Sequence, residues 1–457
     1  FFFKQKTAYE ISTRDWSSDV CSSDLSNNIK KTIYELTHNK VIIIDEVHNL
    51  ITSNLDPLII KKNIEANKII SKLGGINAII LRLLSLLADN SAKFFYLTAT
   101  PIFDNYGQFI ELILNLCPKI KYQNNGIKLD DLPFLLNELK GKVSFYKLKD
   151  LSSLPIIKYD NILIPLSNTQ AKFISNIKKD KKENEKSNSF CIIERQLSIS
   201  VFNKKNKDKI FKNINEYAPK ILKLFELLKL DGKHLVYSNF IEYCLQLIAL
   251  YLEANGWSNY LNKNNNENKY KSFVIWDGSL NDEKKQLIKA IVNSKENLDG
   301  SIIKVILGSP SVKEGISLKH IQHLHQIDPV WNSSAKEQVE GRCIRFKSHE
   351  DIPLNHQTLK REVIIHNYIS QVPEKDIYKL GKTCDEKIYY NIIPKKKKII
   401  KNIENLLKKV SIDYYLWTTD NSPNSNESSN ISIGREKRKL EELINNKKFY
   451  KIGRAHV

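Results

Sequence analysis

Two adjacent carboxylates, Asp45 and Glu46, close the apolar run Val41-Ile42-Ile43-Ile44, and His48 follows. A short β-branched run of this kind fits a buried parallel strand. Ligands of open α/β sheets bind at the carboxyl ends of such strands. An aspartate there can hold Mg2+ on a nucleotide, and the neighbouring glutamate can orient and deprotonate an attacking water. The same residues also describe a strand that ends in a solvated acidic turn. Thr98 stands 53 residues after Asp45, in Leu97-Thr98-Ala99-Thr100-Pro101. Alone this is a threonine-rich turn stopped by proline. At that distance from Asp-Glu-x-His, the hydroxyls of Thr98 and Thr100 are placed to bond the acidic pair and couple its state to domain movement.

Two further motifs lie downstream. Leu307-Gly308-Ser309-Pro310-Ser311-Val312-Lys313-Glu314-Gly315 opens a strand into a loop of small residues, where backbone can approach phosphates closely. Gln338-Val339-Glu340-Gly341-Arg342-Cys343-Ile344-Arg345 reads as a helix with Arg342 and Arg345 at i and i+3, on one face. Two guanidiniums aimed at a γ-phosphate act as arginine fingers, which contribute about 10³–10⁵ in rate. A plain strand–turn and a pair of surface arginines are the bland counterparts.

The elements that must position these residues follow an α/β alternation. Strands are expected at 41–44 and 94–97, with helices at 76–87 and 106–116. Ile156 to Leu166 is a further strand region. Lys178 to Ser189 is a charged run expected to form a mobile loop. A second set follows: helix 219–230, strand 234–237, helix 241–255, strand 273–276, helix 283–292, strand 302–307 and, later, helix 399–410. Asn262 to Lys269 is a polar insertion. Thr418 to Asn430 is Asn/Ser-rich and expected to be disordered, and Arg435 to Asn446 fits a short charged helix.

In this order the four motifs resemble those of superfamily-2 helicases and SWI/SNF-type translocases, where they are motifs II, III, V and VI. Thr169-Gln170-Ala171-Lys172-Phe173, Pro219-Lys220 and Leu235-Val236-Tyr237-Ser238-Asn239-Phe240 are similar to the SWI/SNF pattern entering the second lobe. A narrower likeness lies in Ala99-Thr100-Pro101-Ile102-Phe103-Asp104-Asn105, Gly308-Ser309-Pro310 with Lys313-Glu314-Gly315, and Gly341-Arg342 through Arg345-Phe346-Lys347-Ser348-His349. These resemble helicases of nucleocytoplasmic large DNA viruses, a group with the small subunit of the poxvirus early transcription factor and poxvirus nucleoside triphosphatase I. The resemblance covers roughly residues 40–410. It implies tandem RecA-like domains with parallel sheets, the first truncated at its N-terminus, ATP and Mg2+ as cofactors, and a DNA-dependent ATPase of viral transcription.

It also implies roles. Asp45 holds Mg2+ and Glu46 activates water. His48, Thr98 and Thr100 couple the site to nucleic acid. Gln338, Gly341, Arg342 and Arg345 close on the triphosphate, with Gly315 near the cleft. Ser309, Lys313 and Glu314 touch the nucleic-acid backbone. Ser-Pro stands where many helicases have a Thr-x-Ala type of motif V. Implied partners are nucleic acid, DNA before RNA, and viral RNA polymerase or transcription-factor subunits. The implied location is cytoplasmic, in a virus factory or virion, or nuclear. An RNA helicase, or a non-catalytic nucleic-acid-binding scaffold with a degenerate first lobe, stays open beside this.

No G-x-x-x-x-G-K-[ST] loop occurs in the chain. Gly381-Lys382-Thr383 has only the end of that motif and falls after the arginines, in the wrong lobe. Without such a loop the β- and γ-phosphates are poorly held. The expectation is a parent motor whose loop lies upstream and a fragment that does not hydrolyse ATP at a useful rate.

The ends carry a separate signal. Asp19-Val20-Cys21-Ser22-Ser23-Asp24 can be encoded by GAC GTG TGC TCT TCC GAT. The reverse complement encodes Ile452-Gly453-Arg454-Ala455-His456-Val457, the last residues of the chain. Ends related in this way resemble a sequencing adapter read through an open frame, so 1–25 and 452–457 are set aside. The expected organisation is 26–150 as the remainder of a first domain, 151–215 as linker or insertion, 216–355 as a second domain, 356–416 as an extension and 417–451 as a low-complexity tail.

Composition bounds the rest. Cys117, Cys191, Cys244, Cys343 and Cys384 form no C-x-x-C pair, so neither a zinc site nor a disulfide framework is indicated. No apolar run approaches the roughly 20 residues of a membrane span; the longest, Ala78 to Ala88, is interrupted by Arg82. The net charge of +20 has two readings, nucleic-acid binding or drift in an A/T-rich coding sequence full of Lys, Asn and Ile.

Overall fold

The computed structural model describes residues 22–51, 76–98, 101, 106–118, 132–145, 152–183, 191–262, 270–313, 316–330, 333–373 and 381–414. Thr100, Glu314 and Gly315 lie outside these residues, as do most of the polar insertion and both segments expected beyond 417. The chain divides into two units, residues 1–148 with 396–457, and residues 149–395.

The first unit contains α1 (Ser22–Thr37), β1 (Val41–Ile44), α2 (Ile76–Leu87), β2 (Lys93–Tyr96), α3 (Tyr106–Leu116) and α4 (Leu132–Glu138). α1 begins inside the segment set aside on sequence grounds. β1 and β2 pair in parallel, with Ile44 opposite Tyr96. Val47, Leu81, Tyr96, Phe109, Leu112 and Ile113 form the core, joined by Ile403 and Leu407 from near the other end of the chain. The Ser85 hydroxyl and the Asn115 side chain, 2.6 Å apart, tie α2 to α3 within this apolar setting.

The second unit contains β3 (Ile156–Pro165), α5 (Asn168–Glu183), α6 (Ile192–Ile199), α7 (Pro219–Leu227), β4 (Lys233–Tyr237), α8 (Gln246–Ala254), β5 (Ser258–Asn259), β6 (Ser272–Trp276), α9 (Asp282–Asn293), β7 (Val305–Gly308), β8 (Ile321–Gln326), α10 (Ser333–Cys343) and β9 (Glu362–Gln371). Its sheet has seven strands in the order β3-β9-β8-β4-β7-β6-β5, and every pairing is parallel. Alternate residues of a strand face opposite sides, so Val236, Phe273, Val305 and Leu307 feed one core. Leu235, Tyr237, Val274, Trp276 and Ile306 feed the other. Both faces are covered over β4, β6 and β7, as a parallel sheet requires, whereas the edge strand β3 is largely exposed. This is the parallel α/β architecture anticipated from the motifs. Gly232 turns the chain into β4 at φ +92°, and a Cβ there would lie 2.4 Å from Gln322 Cγ.

Several boundaries differ from the sequence reading. β3, placed there in a linker, is the sheet's edge strand, registered on β9 from Ile156–Glu362 to Pro165–Gln371. β9 itself lies in the stretch read as an extension. The charged run from Lys178 continues α5 as far as Glu183 before leaving the described residues. The final described helix, α11 (Ile393–Val410), starts six residues before the expected 399. Thr383, the end of the loop-like tripeptide, caps the short helix Cys384–Lys387: its hydroxyl accepts from Glu386 N at 3.1 Å, and Glu386 Oε2 accepts from Thr383 N at 2.8 Å.

Candidate functional site

In the first unit β1 delivers Asp45 and Glu46 to its carboxyl end. The chain then turns sharply, with Glu46 in the left-handed region at φ 50°, into a 3-10 turn over Val47–Leu50. Glu46 N donates to Asp45 Oδ1 at 2.9 Å, and Asp45 is exposed. Leu97 N donates to Ile44 O at 2.8 Å and Val47 N to Leu97 O at 3.1 Å, which lock the segment after β2 against the acidic turn.

His48 is 1 % exposed. Its Nδ1 lies 2.6 Å from Thr98 Oγ1 and 3.2 Å from Glu46 Oε2. Burial pushes its pKa down to about 4, so the ring is neutral at pH 7. A carboxylate can only accept, so the ring proton belongs on Nδ1, facing both oxygens. His48 thus touches a catalytic candidate and Thr98 at once, whereas the sequence suggested that the threonine hydroxyl would bond the acidic pair directly. Thr100 lies outside the described residues.

The second unit brings Ser309, Lys313, Gln338, Gly341, Arg342 and Arg345 into one neighbourhood. Gly308 ends β7, where a Cβ would lie 2.7 Å from Val312 Cγ2, so only glycine lets the strand turn this tightly onto its loop. Ser309 N donates to Trp276 O at 2.9 Å, and Ser309 Oγ lies 3.0 Å from Ser311 Oγ. The Lys313 ammonium sits 5.7 Å from the centre of the Tyr237 ring. α10 carries Gln338, half-buried, with Gly341 and Arg342.

The helix stops at Cys343, so Arg345 is not on it and the i, i+3 face does not form as expected. The arginines meet by another route. Arg342 Nη1 donates to Ile316 O at 3.2 Å and Nη2 to Lys313 O. Arg345 Nη1 bonds the Ser317 hydroxyl, and its Nε donates to Gly341 O at 3.0 Å. Leu318 N returns a bond to Arg342 O at 3.0 Å. Both guanidiniums therefore grip the backbone and hydroxyl of the loop around 313–317. Glu314 and Gly315 lie outside the described residues.

Sequence reasoning passed over a buried ion pair in the second unit. Asp328, fully buried, accepts from Arg195 Nη2 at 2.6 Å, Ser238 Oγ at 2.6 Å, Asn239 N at 3.0 Å and Asn239 Nδ2 at 2.8 Å. It pins α6 and the end of β4 to the residues after β8. A second pair joins Lys220 Nζ to Asp385 Oδ2 at 2.7 Å, and the lysine also donates to Ile327 O at 3.0 Å. The available signal was a lone acid, Asp328, set between Ile327 and Pro329-Val330, which burial makes costly unless it is paired.

Comparison with known proteins gives the same direction. Residues 218–347 match the helicase conserved C-terminal domain. A protein of Acanthamoeba polyphaga mimivirus, named as an ATP-dependent RNA helicase, is 31% identical over 386 residues, covering 76% of this chain and 62% of the relative. A helicase of Invertebrate iridescent virus 3 is 28% identical, over 76% of this chain and 36% of its own length. The termination factor NPH-I homolog of African swine fever virus is 23% identical over 50% of this chain and 39% of its length. The chain thus spans between about a third and two-thirds of these relatives. It resembles superfamily-2 helicases, and viral ones in particular. Among the described residues no helix is long and apolar enough to cross a membrane.

Proposed function

We propose that this chain is the motor part of a viral, nucleic-acid-stimulated ATPase that translocates along duplex DNA. The observation that carries the reading is the 2.6 Å contact between His48 and Thr98 beside an exposed Asp45 and a half-buried Glu46. It gives an acidic pair at a parallel strand end a direct mechanical connection to the next strand. The arginine grip on the loop after β7 supports it from the second unit.

Carboxylates at this strand end fit a hydrated Mg2+ carried by ATP, with Asp45 as its holder; the ion would neutralise phosphate charge. Glu46 takes the proton of the attacking water. His48, neutral, holds Glu46 in orientation and passes its position to Thr98. Arg342 and Arg345 supply positive charge from the second unit when they exchange loop contacts for phosphate oxygens. Viral RNA polymerase or transcription-factor subunits are the proposed protein partners.

The test is phosphate release by the full-length protein with duplex DNA, single-stranded DNA or RNA. Stimulation by duplex DNA, abolished in Glu46→Gln, is the expected result. Stimulation by RNA alone would favour the RNA-helicase reading, which the name of the mimivirus relative favours. Binding without turnover in the full-length protein would favour the scaffold. This chain holds no phosphate-binding loop motif, and detectable DNA-stimulated turnover by residues 26–450 would overturn its proposed inactivity.

A further inference from the structure

α11 has two faces. Ile403 and Leu407 are buried in the core of the first unit, with Ile399 and Val410 packed beside them. On the other side Lys397, Lys398, Lys401 and Lys409 are exposed, and none of these four forms an ion pair among the described residues. At 3.6 residues per turn these lysines share an arc of about 120° and a row of about 18 Å. Glu404 is the only acid in the helix.

This arrangement is costly to the helix by itself. Lys395 to Lys398 stand in its first turns, where the macrodipole is positive and disfavours cations. Lys397 and Lys401, at i and i+4, repel one another. A long polyanion along the row would offset both effects.

We propose that this face of α11 is a contact surface for the phosphate backbone of duplex DNA, separate from the loops that carry the helicase motifs. Duplex DNA presents about one charge per 1.7 Å of axis. Its stiffness, with a persistence length of about 50 nm, suits a straight and rigid row of cations. The inference rests on the nucleic-acid motor reading above and adds to it a site.

The experiment compares the unmodified chain with Lys397→Gln/Lys398→Gln/Lys401→Gln and with a control of equal charge loss, Lys205→Gln/Lys207→Gln/Lys212→Gln. Binding of labelled duplex DNA is titrated across salt concentrations, with RNA as a parallel arm. Glutamine keeps helix propensity near that of lysine, and circular dichroism checks that both variants fold. The α11 variant is expected to bind duplex DNA more weakly, with a log K against log salt slope shallower by about 0.9 for each phosphate that it no longer neutralises. The control is expected to retain the original slope. Unchanged binding by the α11 variant, an equal weakening in the control, or a weakening confined to RNA overturns the proposal. Absence of any nucleic-acid binding by the unmodified chain overturns it together with the motor reading.

Discussion

The contact between His48 and Thr98 separates coupling from chemistry, because neither side chain is the proposed metal holder or base. Thr98→Val keeps the shape and deletes the hydroxyl. A buried hydrogen bond contributes about 1 kcal/mol, so the variant should unfold at a slightly lower temperature while its basal phosphate release stays near normal in the full-length protein. Its stimulation by nucleic acid should fall sharply. Full stimulation in Thr98→Val would remove the coupling role from this pair. Arg342 makes a different demand. Its fork spans two carbonyls, of Lys313 and Ile316, and a lysine cannot reproduce that geometry. Arg342→Lys is therefore expected to lose turnover by a factor approaching the 10³ or more of an arginine finger. Near-normal turnover in that variant would mean that only charge is needed.

At the scale of elements the buried pairs decide how strands and helices are held. Arg195 is the cation facing Asp328 from α6. Arg195→Met leaves that carboxylate buried without its ion-pair partner, and breaking such pairs costs about 3–5 kcal/mol. Replacing Asp328 by Asn as well should recover part of the loss. A denaturant double-mutant cycle measures the difference, and additivity of the two substitutions would argue against a direct pair. Local apolar pattern decides what could be seen in advance, although β1 is half-exposed rather than the buried strand expected, with Val41 and Ile43 open to solvent. Strands with apolar β-branched runs, such as Val41–Ile44, and helices with 3.6-residue periodicity, such as Ile76–Leu87, appear in the structure at the expected residues. β8 and β9 were not anticipated, because Ile-Gln-His-Leu-His-Gln looks half polar although all six residues are buried. The histidines of β8 hydrogen-bond to His234 on β4 and to His366 and Tyr368 on β9, while Gln322 accepts from Lys360 N and Gln326 reaches Glu340 on α10; single-sequence periodicity does not register such partners. The arginine motif was recognisable by type and spacing. That it serves a loop rather than one helical face depends on where α10 ends, which spacing does not fix.

At the scale of the whole molecule the histidines of the second unit act together. His234, His323, His325 and His366 stack across β4, β8 and β9, with ring centroids 4.6–5.3 Å apart between neighbours. His234 Nε2 donates to Leu230 O, so its Nδ1 accepts from His325 Nε2 at 2.9 Å, and Tyr368 donates to His325 Nδ1. His323 Nε2 donates to Asp231 O and its Nδ1 accepts from His366 Nε2 at 3.1 Å. The remaining His366 nitrogen faces Asp160 Oδ2 at 2.9 Å, so the first added proton belongs there. Burial holds His320, His323 and His349 at about 4, His366 below its usual value, and His234 and His325 well below it, where 6.5 is ordinary. The folded state thus refuses protons that the unfolded chain accepts. Stability is full above pH 6.5 and falls as pH drops from there toward 4. Each such histidine contributes a slope of about 1.4 kcal/mol per pH unit. Several such histidines titrating in the same direction make the decline steep against a typical stability of about 5–15 kcal/mol. Trp257 and Trp276 lie in this unit, mostly buried, and their fluorescence in urea titrations from pH 7.5 to 4.5 reads its unfolding. The midpoint is expected to fall steeply below pH 6.5, whereas the first unit, with His48 as its one strongly shifted histidine among the described residues, should lose less. A midpoint that stays flat between pH 6.5 and 5 would mean that the ladder takes up its protons without opening, and that the sheet tolerates charge at its centre.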